Sequence, residues 1–195
     1  MNLPNKLTVS RIILAPVFLA LVLIEDVWAR ALALLVFVVA ALTDLYDGYL
    51  ARKTGVVTGF GKFMDPLAYK ILTSSALVAF VALGYARVWM VLPIVVRELF
   101  ITGLRSVAAY RGLMIPPSFL AKVKTFLQML LVVLILLYIN LKTFAEPLGI
   151  DWAWLSSPDV PRAFDYLLFV TMVITVYTGL DYLWRSGSLW RGLLK

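Results

Sequence analysis

Long apolar stretches alternate with short polar connectors along this chain. Six stand out: Arg11–Ile24, Ala29–Tyr49, Met64–Gly84, Trp89–Ala109, Phe126–Leu141 and Ala163–Trp184. A helix needs about 20 residues to cross the apolar part of a bilayer, and these stretches approach or meet that length. Leu7 and Val9 can lengthen the first. The pattern predicts an all-α integral membrane protein with six transmembrane helices. Met1–Ser10, where Pro4 stands among alternating polar and apolar residues, is expected as a short interfacial segment ahead of the first helix. The first stretch lacks a small-residue cleavage site and further spans follow it, so it reads as a retained helix rather than a signal peptide. Residues 1–195 are expected to form a single membrane-embedded domain.

Composition sharpens this picture. Of the 195 residues 63% are apolar and 15% charged, whereas soluble chains are nearer half apolar. There is no cysteine and no histidine. Disulfides, thiolate nucleophiles, cysteine-ligated metals and imidazole chemistry are therefore excluded. Acid–base or metal chemistry falls to the 11 carboxylates and to tyrosine, lysine and arginine.

The net charge of +7 does not mark a nucleic-acid binder, because the basic residues sit in short segments between apolar runs. With six spans, fourteen of the 18 lysines and arginines fall on the side of the N-terminus. That bias places both termini in the cytoplasm, and the cell inner membrane is the expected location. Trp152 and Trp154 fall on the opposite side, as in an interfacial aromatic belt.

Acidic residues at the edge of a span are costly and need a reason. Asp44 and Asp47 lie near the end of the second span and share one helical face; Asp65 opens the third and can come opposite them. Converging carboxylates repel unless a cation joins them, and an oxygen-only set favours Mg²⁺ or Mn²⁺. Gly48, Gly55, Gly59 and Gly61 allow close approach of a ligand, and Arg52 offers a fork for phosphate oxygens. The plainer alternative is that Asp44 pairs with Arg52 or Lys53 and the glycines serve helix packing.

The run Asp44-Leu-Tyr-Asp47-Gly48-Tyr-Leu-Ala51-Arg52, then eight residues, then Gly61-Lys-Phe-Met-Asp65 resembles the signature D-x2-D-G-x2-A-R-x8-G-x3-D-x3-D of the CDP-alcohol phosphatidyltransferases. The resemblance implies a homodimeric membrane enzyme with six transmembrane helices and an active site at the cytoplasmic face. It also implies one or two divalent ions, Mg²⁺ or Mn²⁺, held by Asp44, Asp47 and Asp65. CDP-diacylglycerol would bind at Asp44, Asp47, Gly48, Ala51, Arg52 and Gly61, and an alcohol would displace CMP from it, with membrane lipids around the site.

One position departs from the signature. The fourth aspartate, which the family uses as general base and metal ligand, is replaced by Tyr69. A phenol of pKa about 10 is a poor base at neutral pH and a weak ligand for a hard cation. The fold and lipid-nucleotide binding are expected to persist, with turnover severely impaired at the catalytic positions Asp65 and Tyr69.

Arg97, Arg105, Lys122 and Lys124 are candidates for the acceptor subsite. Arg97 and Arg105 are a little over two helical turns apart, and the lysines open the next span from the same side. Cations around one cavity suit a phosphorylated acceptor. With the Asn2-Leu-Pro4-Asn5-Lys-Leu-Thr8 start and Arg11, they resemble the family members that use glycerol 3-phosphate and form phosphatidylglycerol phosphate. An inositol-phosphate acceptor needs the same cations. A cation transporter and a non-catalytic lipid-nucleotide binding protein are the readings from other classes; the acids cluster at span ends, which disfavours a transporter.

Overall fold

The computed structural model describes residues 3–54, 59–110, 118–150 and 152–185, with side chains for 7–44, 64–109, 118–150 and 152–184. The described elements are helical, with no strand among them. Six long helices, α1 (Leu3–Leu23), α2 (Val27–Thr54), α3 (Gly59–Ala82), α4 (Val88–Tyr110), α5 (Phe119–Ala145) and α7 (Asp159–Arg185), are joined by a short helix α6 (Ala153–Ser156) and a 3-10 turn, Glu146–Leu148. Each predicted stretch lies within one long helix, to within two residues at its end.

Helix boundaries follow local chemistry. The Asp26 carboxylate accepts from the backbone N–H groups of Trp28 and Ala29, both at 2.9 Å, and starts α2. Ser118 caps α5 by accepting from the Ala121 N–H at 3.3 Å. Helix α3 closes where Gly84 takes φ +78° and the Tyr85 N–H reaches back to the Phe80 carbonyl at 2.8 Å.

Helix α1 packs on α2, α2 on α5, α5 on α7, α7 on α4, α4 on α3 and α3 back on α1, which closes a ring. Its apolar core includes Phe18, Phe37, Leu72, Phe80, Ile94, Leu131, Ile135 and Leu168, all nearly inaccessible. Phe18 and Phe37 meet across α1 and α2 with ring centroids 5.4 Å apart. At one end Tyr138 contacts Tyr85 and Phe164 edge-on, at 5.7 and 5.4 Å, and its hydroxyl donates to the Leu155 carbonyl at 2.7 Å. The buried charged residues gather at the other end, where α1, α3 and α5 begin and α2, α4 and α7 finish.

Among the described residues, four helices are long and apolar enough to cross a bilayer: Val27–Asp44, Met64–Ala82, Phe119–Leu148 and Asp159–Trp184. The apolar part of α1 is shorter, Leu7–Leu23. Helix α4 carries Arg97, Glu98 and Arg105 within any membrane-spanning length of it. Its outward face is nonetheless apolar, with Leu92, Val96 and Phe100 more than half exposed while Glu98 points inward.

Two expectations are corrected. Leu3–Ser10 is not a separate interfacial segment but the first part of continuous helix α1; Met1 and Asn2 lie outside the described residues. Pro4 falls in the first turn, where its missing N–H costs nothing. Thr8 and Arg11, both wholly buried, face the bundle rather than lipid headgroups. Asp165, whose place one turn from Arg162 on the last span suggests a pair at that end, binds Arg87 instead at 2.8 Å, across from α7 to the α3–α4 connection. Arg162 instead binds Asp159 one turn away, at 3.1 Å.

Phe18→Ala is expected to lower stability by about 3 kcal/mol, because the ring leaves a cavity between α1 and α2 that helices cannot readily close. Thermal unfolding in detergent micelles checks this; an unchanged midpoint would show that the α1–α2 contact is not part of the load.

Candidate functional site

Helix α1 brings polar groups to two of the signature carboxylates. Thr8 and Arg11 are three residues apart and so share a face. The Thr8 hydroxyl donates to Asp65 on α3, and the Arg11 guanidinium pairs with Asp44 on α2. The Asp44 carboxylate also feels repulsion from Asp65 and attraction from Lys70. Asp44 and Asp65 thus occupy one charged neighbourhood at the polar end. The alternative partners of Asp44, Arg52 and Lys53, lie outside the described side chains, as do Asp47, Gly48, Ala51 and Gly61.

The donors here are carboxylate oxygens, which suit a hard divalent cation. Among the described residues no group of three or more acidic side chains is assembled. Asp44 and Asp65 repel each other, a conflict that a divalent ion between them would relieve, and Asp47 follows Asp44 by one turn of α2. Asp44, Asp47 and Asp65 would hold it.

Tyr69 follows Asp65 by one turn on the same face of α3. Its hydroxyl donates to the Met129 sulfur on α5 at 3.9 Å, and the Lys70 ammonium lies 5.1 Å from its ring centroid. The phenol is within electrostatic reach of both Asp44 and Glu98.

The second group is centred on Glu98. Its side chain is 1% exposed and binds three cations: Arg97 at 2.8 Å, Lys124 and Lys70. Helices α3, α4 and α5 each contribute one of these cations. The other arm of Arg97 donates to Thr178 of α7 at 3.1 Å. Gly179 is what lets α7 approach, since a Cβ there would lie 2.9 Å from Arg97 Cγ. Gln128, one turn beyond Lys124, is buried, and its amide oxygen has no hydrogen-bond partner among the described residues.

Two of the four cations singled out from sequence, Arg97 and Lys124, meet in this group; Arg105 and Lys122 are exposed. Sequence reasoning missed Thr8, Lys70, Thr178 and Gly179, and it passed over Glu98. A carboxylate within an apolar stretch was a readable signal for Glu98. Gly179 carried none, because its role depends on which helix lies opposite.

The sequence matches the CDP-alcohol phosphatidyltransferase family over residues 1–177. The chain belongs to that family. It is 37% identical over 193 residues to the CDP-diacylglycerol–glycerol-3-phosphate 3-phosphatidyltransferase of Bacillus subtilis (strain 168), covering 93% of each chain. It is 36% identical over 188 residues to a probable phosphatidylglycerophosphate synthase of Mycobacterium tuberculosis, covering 95% of this chain and 81% of that one. A CDP-diacylglycerol–glycerol-3-phosphate 3-phosphatidyltransferase of Yersinia pestis is 34% identical over 200 residues and spans all of this chain.

Gly179→Ala is expected to push Arg97 off Thr178 and to cost about 1–3 kcal/mol through overpacking. Asp44→Ala is expected to cost about 3–5 kcal/mol, because it leaves the buried Arg11 charge without this partner. Thermal midpoints of the two variants beside the parent check both; a neutral Asp44→Ala would show that the Arg11–Asp44 pair carries no stability.

Proposed function

We propose that this protein transfers the phosphatidyl group of CDP-diacylglycerol to glycerol 3-phosphate, releasing CMP and forming phosphatidylglycerol phosphate, with turnover restrained by Tyr69. The observation that carries the acceptor assignment is the set of Lys70, Arg97 and Lys124 gathered around the buried Glu98. The near full-length identity to relatives named for that reaction supports it.

The reaction follows from the placement of charge. The two ends of the site receive the two substrates: Asp44, Asp47, Gly48, Ala51, Arg52, Asp65 and Gly61 the CDP-lipid, and the cation set the acceptor phosphate. A divalent ion, Mg²⁺ or Mn²⁺, held by Asp44, Asp47 and Asp65 supplies neutralisation of pyrophosphate charge. The acceptor hydroxyl attacks the phosphatidyl phosphorus; its new P–O bond forms as the bond to CMP breaks, and CMP leaves with the electron pair. Holding both partners in line accounts for much of the acceleration.

The hydroxyl proton must go to a base. Tyr69 occupies the place where the family signature has a carboxylate, and its neutral phenol holds its own proton at physiological pH. Its ring also fills space between α3 and α5. This favours one further reading, a lipid-nucleotide binding protein without turnover.

Topology is consistent with the chemistry. All six long helices cross the bilayer, α1 and α4 included, because Arg11 on α1 and Arg97 and Glu98 on α4 face the bundle. The positive-inside bias puts both termini and the polar end in the cytoplasm, at the inner membrane. There the acyl chains stay in the bilayer while the acceptor arrives from water. The exposed apolar flanks are left for membrane lipids and a second copy, in a homodimer.

The test is CMP release from CDP-diacylglycerol with Mg²⁺ or Mn²⁺, with and without glycerol 3-phosphate, for the parent and for Tyr69→Asp. Acceptor-dependent release is expected to rise about 100-fold or more in Tyr69→Asp, the range a restored general base supplies. An equal rate in the two proteins would remove Tyr69 from the account, and release without acceptor would refute transfer.

A further inference from the structure

We infer that Glu98 is a positioning residue that serves as a resident counter-anion, holding Lys70, Arg97 and Lys124 in a preassembled array that selects a doubly charged phosphomonoester. The inference rests on the acceptor-phosphate reading above and adds to it a reason for the carboxylate and a source of charge selectivity.

Three cations from three helices would repel one another in a buried site. Glu98 removes that conflict by division of labour: one carboxylate oxygen takes Arg97 and Lys124, the other takes Lys70. The carboxylate plane therefore fixes where each cation sits. Arg97 is held from behind as well, by Thr178 and by the close approach of Gly179.

Charge counting then says what the array accepts. Three cations against one carboxylate leave an excess of two positive charges at a group in which Lys124 and Glu98 are each 1% exposed. An excess of that size in a poorly solvated place is costly until an anion offsets it. A phosphomonoester dianion carries two charges and three terminal oxygens, so it matches both the excess and the number of donor side chains. A phosphodiester, with one charge, leaves the excess half uncompensated. Lys70 also attracts Asp44, which links the array to the CDP-lipid end of the site. Both a soluble phosphorylated alcohol and a phosphatidate headgroup carry this dianion; the soluble acceptor is the occupant inferred here.

The experiment is calorimetric titration of the full chain in phosphatidylcholine nanodiscs with three probes: glycerol 3-phosphate, its singly charged methyl ester, and glycerol. Parent protein is expected to bind glycerol 3-phosphate at least about ten-fold more tightly than the ester, a factor that corresponds to one decade of affinity, and glycerol not detectably. Glu98→Gln is expected to weaken glycerol 3-phosphate binding about ten-fold or more, since the cations lose their common partner. Its CDP-diacylglycerol binding should stay unchanged, a split that general unfolding would not give. Equal or tighter binding of glycerol 3-phosphate by Glu98→Gln would overturn the inference and make the carboxylate a competitor of the ligand.

If Glu98→Gln loses CDP-diacylglycerol binding as well, Lys70→Gln decides: lowering the excess charge should abolish the preference for the dianion over its ester, and a retained preference overturns the inference. Absence of any phosphate-dependent binding by the parent refutes the acceptor reading itself, and the inference with it. Phosphatidic acid in the discs should leave glycerol 3-phosphate affinity unchanged; competition would assign the array to a lipid headgroup and overturn the soluble acceptor.

Discussion

Charge buried inside an apolar bundle must find its partner on another helix, and Glu98 is where that constraint is met most densely in this protein. Its carboxylate joins α3, α4 and α5, and through Arg97 it reaches α7. Helices in a membrane gain little from hydrophobic burial against one another, so packing, hydrogen bonds and ion pairs decide how they associate. The Arg11–Asp44 and Thr8–Asp65 contacts do for α1, α2 and α3 what Glu98 does for the others. The ring of helices is thereby tied at its polar end, whereas its opposite end is joined by aromatic packing around Tyr138 and by the Arg87–Asp165 pair.

On the proposed function, the same contacts that tie the helices also lay out a two-substrate site. Asp65, Tyr69 and Lys70 lie within little more than one turn of α3. Asp65 contacts the carboxylate end, Lys70 the cation end, and Tyr69 stands between them along α3. A reaction that joins a CDP-linked lipid to a phosphorylated alcohol needs such a junction, with the proton acceptor at the seam. On that proposal, a phenol in place of a carboxylate at the seam is expected to leave both binding ends intact and to remove the group with the right basicity. Structure and binding can therefore survive a change that stops turnover.

Much of the architecture was legible in the sequence because it rests on short-range pattern. The apolar runs marked each long helix but not its full length, since α1 begins eight residues before Arg11 and α5 seven before Phe126, and the spacing of Asp44, Asp47 and Asp65 marked the signature. What was not legible depends on which helices meet. Asp165 stood nearest Arg162 in sequence, yet Arg87 arrives from another helix end to bind it. The polar start of α1 looked interfacial because nothing in the sequence says that Thr8 and Arg11 face α3 and α2. Cations could be counted along the chain, but Lys70 rather than Arg105 or Lys122 completes the group around Glu98, and only the packing of α3 on α4 decides that.

The most direct measurement is electron paramagnetic resonance of Mn²⁺ added to the purified chain with CDP-diacylglycerol, beside Asp65→Asn. If the polar ends of α2 and α3 form a metal-dependent CDP-lipid site despite Tyr69, the parent shows a bound Mn²⁺ signal that responds to CDP-diacylglycerol. Asp65→Asn should then lose that signal while remaining folded. A bound signal unchanged in Asp65→Asn, or CDP-diacylglycerol binding that is equally tight after the metal is chelated, would contradict it.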